Sequence, residues 1–434
     1  MTEIISIYLQ LLVFLIIFQF PVNKFILNYY TKLKLDFFEI ITLNIILHLF
    51  FYLVISFFSI SLRIYFILEI FLGLLFIIYN FIQYFKKNER IMNNNFYLFI
   101  IFIILNIVLF THIAEHMRLE WDGLAHWIYK ATIYFQGGTF ADLKNVDFSY
   151  YPQLGSFIWG FFWKNSLLEL EYLGRLIFPF LYLVGLLFSI SNLKKNDDLL
   201  IKAIILLVLV TLSLDFYLFG GYQEYLLFFE LLVFSKFFYL YKNNKSNLLF
   251  FILFLDTVLI LWTKQEGFFY NIILALVFIF FCDKNNKTKL LFAVLVILSM
   301  WLQIELKNNI IGNFEFNEPI FHDGLLRYLQ ISEIINTFLL ISKNVIISFF
   351  RYPIWILIVC ITIYTQFIYK IKIESFVKFY FLIYFVFVYA IYFQTNMNLV
   401  YLLPITIDRI LLQGSGFIIY PLVILLNNII LKKK

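Results

Sequence analysis

The chain has 434 residues, of which 63% are hydrophobic, 22% aromatic and only 14% charged, and its mean hydropathy is +0.90. A soluble globular domain is excluded, because so few polar residues would leave its surface uncovered. The formal charge of +6 carries no basic patch suited to nucleic acid, and the two cysteines lie in apolar runs that form neither a disulfide framework nor a metal motif.

A membrane-spanning helix needs about 20 apolar residues. Such runs recur along the whole chain, and the first follows Met1-Thr2-Glu3 without the basic segment or cleavage site of a signal peptide. Hydrophobic patterning places helices at about 4–22, 38–60, 64–85, 96–113, 175–192, 199–218, 222–241, 247–262, 267–282, 289–305, 352–370, 376–394 and 414–430. The expected fold is an all-α polytopic membrane protein of about 13 transmembrane helices. Two further runs, 151–164 and 336–350, read as amphipathic surface helices.

Basic residues orient this arrangement. Lys24, Lys32 and Lys34; Lys86, Lys87 and Arg90; Lys194, Lys195 and Lys202; Lys242 and Lys245; Lys284, Lys287 and Lys289; Lys370, Lys372 and Lys378; and Lys432 to Lys434 all fall on one face. By the positive-inside rule that face and the C-terminus are cytoplasmic, and the N-terminus is outside. The opposite face collects the loop 114–174, the turns 220–224 and 262–267, the loop 306–351 and the segment 395–413. No Gly-rich phosphate loop and no internal repeat occurs.

The densest chemistry lies in Trp121-Asp122-Gly123-Leu124-Ala125-His126-Trp127. On a helix, Asp122, His126 and Lys130 form one polar stripe, and Trp121 and Trp127 suit the headgroup level. A carboxylate held there can act as a general base toward an acceptor hydroxyl or amine. An interfacial anchor helix is the plain structural alternative. His112, His116 and His126 lack the spacing of a closed metal site, so a divalent metal is not favoured and no cofactor is expected.

The remaining candidates are read against simpler roles. Tyr151-Pro152 opens a helix. Gly220-Gly221 permits a tight turn, and Glu224 is expected to cap the next helix. Lys264 suits a donor phosphate, or else snorkels with Glu266 capping. Arg409 binds phosphate or pairs with Asp408. The loop 306–351 adds Glu315, Glu318, His322, Asp323, Gly324 and Arg327. Asp215, Glu230 and Asp256 fall inside expected helices, where acids should face the bundle or a wet cavity.

In order and sidedness these motifs resemble the GT-C superfamily of integral membrane glycosyltransferases, closest to bacterial members related to the dolichyl-phosphate-mannose-dependent mannosyltransferases. The resemblance rests on Trp121 to Trp127, Tyr151-Pro152-Gln153, Arg175, Lys264-Gln265-Glu266-Gly267 and Asp408-Arg409, and covers residues 96–420. It implies a catalytic unit over 96–434 preceded by a three-helix addition over 1–95. It also implies a polyprenyl-phosphate-sugar donor, a lipid-linked or surface glycan acceptor, and an extracytoplasmic active face in a bacterial inner membrane. Asp122 would be the base, with His126, Lys130, Tyr151, Arg175, Glu224, Lys264, Glu266 and Arg409 on the substrates. Gly123 departs from the second acid often found there, and Gln153 from a second proline. The alternatives are an O-antigen-type polymerase or ligase, whose signature loop lies late and is rich in arginine, and a glycolipid transporter without bond chemistry.

Overall fold

The computed structural model describes residues 2–30, 33–86, 94–193, 199–215, 218–282, 285–312, 331–395 and 398–433. The regular secondary structure of these residues is all helical, without strands. In chain order the helices are α1 (Thr2–Ile17), α2 (Lys24–Tyr30), α3 (Phe37–Ile55), α4 (Leu62–Lys86), α5 (Asn94–His116), α6 (Ile128–Phe135), α7 (Leu154–Lys164), α8 (Glu171–Arg175) and α9 (Ile177–Ile190). They continue with α10 (Leu199–Ser213), α11 (Glu224–Asn244), α12 (Asn247–Thr263), α13 (Gly267–Phe281), α14 (Asn286–Ile311), α15 (Ile331–Arg351), α16 (Pro353–Phe367), α17 (Ser375–Gln394) and α18 (Leu399–Lys433). Eight helical stretches among the described residues are long and apolar enough to cross a membrane. The protein is an all-α polytopic membrane protein.

The packing inverts that of a soluble bundle. Every residue of α9 is buried, and α11 packs along α9, α12 and α18 at the centre. Peripheral α4 and α14 turn Ile64, Ile67, Phe71, Leu290, Ile297 and Trp301 outward. In water these faces would be costly, whereas acyl chains solvate them without penalty.

Of the first three expected helices, the second is built into this core. Helix α3 packs against α7, α9 and α12, and its Glu39 pairs with Lys236 of α11 at 2.9 Å. Lys236 also donates to Ser191 Oγ at 2.8 Å and to the carbonyls of Phe188 and Ser191. Beyond α3, Glu69 of α4 is clamped between His48 Nδ1 at 2.7 Å and the Tyr52 hydroxyl at 3.0 Å.

Four elements differ from the sequence expectation. The run 151–164 forms α7, but Leu154 to Phe162 are all buried. Phe157 packs on Tyr134, Phe161 on Tyr52 and Trp163 on Phe135, so aromatic partners on several sides enclose it within the protein. The run 336–350 extends to the 21 residues of α15, long enough to cross a membrane by length and composition. The segment 395–413, expected as an outer connection, belongs from Leu399 to the 35-residue α18, with Pro404 and Pro421 inside the helix. Trp355, Tyr380 and Tyr384 donate to the carbonyls of Leu411, Gly414 and Ile410 and hold that helix laterally. The expected helix 175–192 is divided at Leu176 into α8 and α9.

Candidate functional site

Met117 ends α5 with a positive φ of 45°, turning the chain back across one end of the bundle. Arg175 secures that turn. It donates to the carbonyls of Met117 (3.1 Å), Arg118 (2.9 Å) and Phe219 (2.7 Å) and pairs with Glu171 at 2.7 Å. Its side chain is 1% exposed. Arg175 therefore positions two loops, 117–120 and 219–221, and its donors face carbonyl oxygens and Glu171 rather than an open site. The Glu120 amide adds a bond to the Gly220 carbonyl at 3.1 Å.

The same contact explains Gly123. A Cβ there would stand 2.3 Å from the Gly220 carbonyl oxygen, so this position admits no side chain, acidic or otherwise. Gly221, at φ +83°, makes the opposing turn. Gly123 to Trp127 wind as a π-helical turn that leads into α6. Such turns interrupt the regular ladder and often mark functional positions. Asp122, His126 and Lys130 are all buried beside it. Trp127 is buried too, at 1% exposure, and belongs to the core rather than the headgroup level, whereas Trp121 is 66% exposed.

The central feature is an ion network assembled from four distant stretches. The Asp122 carboxylate pairs with a terminal nitrogen of Arg409. Arg409 Nε donates to Glu224 Oε1 at 2.5 Å, and the same oxygen accepts from Lys264 Nζ at 2.8 Å. Lys264 closes the chain on Glu266 at 3.3 Å. The Arg409 guanidinium also lies 4.6 Å above the Tyr222 ring, a favourable cation–π distance.

Two sequence readings change here. Glu224 and Glu266 begin helices, but neither caps with its side chain: Gln223 and Glu266 occupy the cap positions without a side-chain cap bond. Both acids instead face Lys264. Asp408 does not pair with Arg409, since it accepts from Ser348 and from Arg351 (3.1 Å), and so fastens α15 to α18.

Burial disfavours charge on Lys264, but Glu224 and Glu266 outweigh it and hold its pKa above the ordinary lysine value. Tyr222 is pushed up to about 12 by burial first and then by the Asp122 charge. His126 lies among rings, 4.0 Å from Phe148, 5.1 Å from Trp121 and stacked on Tyr151 at 5.5 Å. Among the described residues its buried Nδ1 has no hydrogen-bond partner. Burial lowers its pKa, Asp122 opposes this, and Lys130, Arg409 and Lys264 lower it further. Lys130 donates to the Tyr151 carbonyl at 2.8 Å and is held well below the usual lysine range by burial and by Lys307.

Asp122, His126, Lys130, Tyr151, Glu224, Lys264, Glu266 and Arg409 thus gather at one end of the bundle, with Arg175 behind them. Glu230 and Asp256 face the bundle interior, fully buried, and Thr263 donates to Glu230 at 2.8 Å. Asp215 lies just past the end of α10, partly buried. Glu315, Glu318, His322, Asp323, Gly324 and Arg327 lie outside the described residues. Sequence reasoning passed over Tyr222 and Lys307. The signal for the first was its place beside Glu224, and for the second an ionisable group in an apolar helix. Among the described residues no three His, Cys, Asp or Glu side chains converge as a metal site, although the rings of His112 and His116 lie 4.4 Å apart. The chain matches no family model, no curated protein and no solved structure.

Proposed function

We propose that the protein is a membrane glycosyltransferase that moves a sugar from a polyprenyl-phosphate donor to a lipid-linked or cell-surface glycan. Its site would lie on the extracytoplasmic side of a bacterial inner membrane. The carrying observation is the single network Asp122–Arg409–Glu224–Lys264–Glu266. It supplies two cations for an anionic leaving group and, beside them, a carboxylate able to accept a proton.

The chemistry follows from competition for Arg409. A donor phosphate arriving at Lys264 and Arg409 draws the guanidinium away from Asp122. The released carboxylate takes the proton of the acceptor hydroxyl as its oxygen bonds to the anomeric carbon. The bond from that carbon to the phosphate oxygen breaks with inversion, and polyprenyl phosphate leaves with its charge met by Lys264 and Arg409. Glu224 holds both cations in register. Trp121, His126 and Tyr151 flank the acceptor.

The orientation rests on the turns at the other end of the helices. Lys242 and Lys245 end α11 opposite Glu224, and Lys287 and Lys289 begin α14 on that same side. The positive-inside rule makes that end cytoplasmic. The test is transfer from labelled polyprenyl-phosphate sugars in proteoliposomes. Asp122→Asn should lower it by about 10²–10⁴-fold, and an unchanged rate at normal protein level would overturn the reading.

A second reading is favoured by one observation. Glu230 and Asp256 are fully buried acids on neighbouring helices, an arrangement that fits proton-coupled transport of a glycolipid.

A further inference from the structure

The last turn of α5 reads His112-Ile113-Ala114-Glu115-His116. Histidines four residues apart share one face of a helix, a spacing at which two imidazoles reach a single zinc ion. The spacing that fails for a closed metal site thus suits an open one, in which water completes the coordination. Glu115, three residues after His112, lies on the same side of the helix.

The structure brings the two rings together. Their centroids are 4.4 Å apart at an interplanar angle of 80°. Two imidazoles bound to one zinc ion, with Zn–N bonds of about 2.0–2.1 Å, place their centroids roughly 4.5–5 Å apart. Both histidines and Glu115 are exposed, so an ion reaches them without rearrangement of the core. The neighbouring Arg118 is paired with Glu120 at 3.2 Å, which meets its charge. The His112 ring also touches Phe219 at 4.6 Å. Arg175 ties the Phe219 carbonyl to those of Met117 and Arg118. The histidine pair therefore stands at the base of the turn that leads to Asp122.

We propose that His112 and His116 bind a divalent transition-metal ion of the zinc class. Water fills its other positions, and Glu115 accepts a hydrogen bond from one of those waters. Imidazole suits such ions, whereas magnesium and calcium take oxygen ligands. The bound ion ties the last turn of α5 across four residues and stiffens the base of the 117–120 turn. Neither histidine belongs to the Asp122 network, so the site stands independently of the glycosyltransferase reading.

The experiment titrates Zn²⁺, and separately Mg²⁺, into the full chain in phosphatidylcholine nanodiscs, against empty nanodiscs, and records binding heat and thermal midpoint. The wild type should bind Zn²⁺ and melt at a higher temperature with it, and should not bind Mg²⁺ at the same concentrations. His112→Ala and His116→Ala should each weaken Zn²⁺ binding by about tenfold or more. The double variant should lose both the binding and the midpoint shift. Should His112→Ala loosen the fold through its lost Phe219 contact, His116→Ala carries the test, with a monodisperse elution profile as its control. A wild type that does not bind Zn²⁺, or unchanged Zn²⁺ affinity in a well-folded His116→Ala protein, overturns the site. Mg²⁺ binding as tight as that of Zn²⁺ also overturns it, because the ion would then sit on carboxylates.

Discussion

Asp122 and Arg409, 287 residues apart in the chain, form an ion pair at one end of the helix bundle. Arg409 also reaches Glu224, so a single planar guanidinium joins two carboxylates from different loops. A lysine has a point charge and cannot span both in fixed geometry. On the glycosyltransferase reading, Arg409→Lys should therefore insert normally yet lose most transfer, close to the loss in Asp122→Asn. Arg409→Ala should do more, because breaking a largely buried pair costs about 3–5 kcal/mol. It should lower the thermal midpoint in detergent as well as the rate. Arg409→Lys with full transfer would show that the dual contact is not needed.

How much of this was legible in the sequence depends on range. The apolar runs and the acids within them have local signatures, so the helices, and the inward burial of Glu230 and Asp256, could be read directly. Asp122, Lys264 and Arg409 stood out as charges interrupting apolar stretches. Their pairing did not. Glu224 opens a helix and reads locally as a cap, and only the convergence of α11, α12 and α18 reveals its two cations. Asp408 adjoins Arg409 in sequence, but successive residues point to different sides of a helix, and it faces α15 instead. Arg175 was placed on the substrates only by the resemblance, and nothing nearby in the sequence hinted at the three carbonyls it meets. The segment 395–413 read as an outer connection, whereas from Leu399 onward it is helical, with Pro404 inside α18.

Gly123 offers a steric test. The Gly220 carbonyl occupies the space of a Cβ, and a backbone group cannot swing aside as a side chain would. Gly123→Ala should destabilise by about 1–3 kcal/mol through overpacking. Gly123→Asp, which restores the acid of the resembled family, should accumulate poorly rather than gain activity. Normal accumulation of Gly123→Asp would mean that the 117–123 and 219–221 loops separate easily.

His126 sets an acid limit. Its folded pKa lies below the ordinary value of 6.5, so the unfolded chain binds the proton more readily. Stability from this group is then complete above pH 6.5, and declines as pH falls through the lowered folded value. Protonation would also place a third kind of cation beside Lys130, Lys264 and Arg409. The melting temperature of the wild type should drop between neutral pH and pH 5, with a smaller drop in His126→Gln. Parallel curves for the two proteins would remove His126 as the titrating group.

Orientation is open to a direct reporter assay. Fusions after Lys245 and Lys289 should score cytoplasmic, and those at Gly138 and Gly221 should score outside. Gly138 and Gly221 flank the network, so an inside score at either would place the site in the cytoplasm. That result would exclude an extracytoplasmic polyprenyl-phosphate sugar as donor.

Glu230 and Asp256 distinguish chemistry from transport. Thr263 donates to Glu230, and a glutamine at that position keeps an oxygen to accept the bond. Asp256→Asn likewise retains size and polarity while removing a titratable proton. If the protein is a glycosyltransferase, the double variant Glu230→Gln, Asp256→Asn should transfer sugar at the wild-type rate, because neither acid belongs to the Asp122 network. A proton-coupled transporter would instead lose turnover in the double variant and retain it in Asp122→Asn. Measuring both variants in the same proteoliposomes, by sugar transfer and by movement of a fluorescent glycolipid across the bilayer, gives opposite patterns for the two readings. Loss of lipid movement in Glu230→Gln, Asp256→Asn with no transfer detectable in the wild type would put the transporter first.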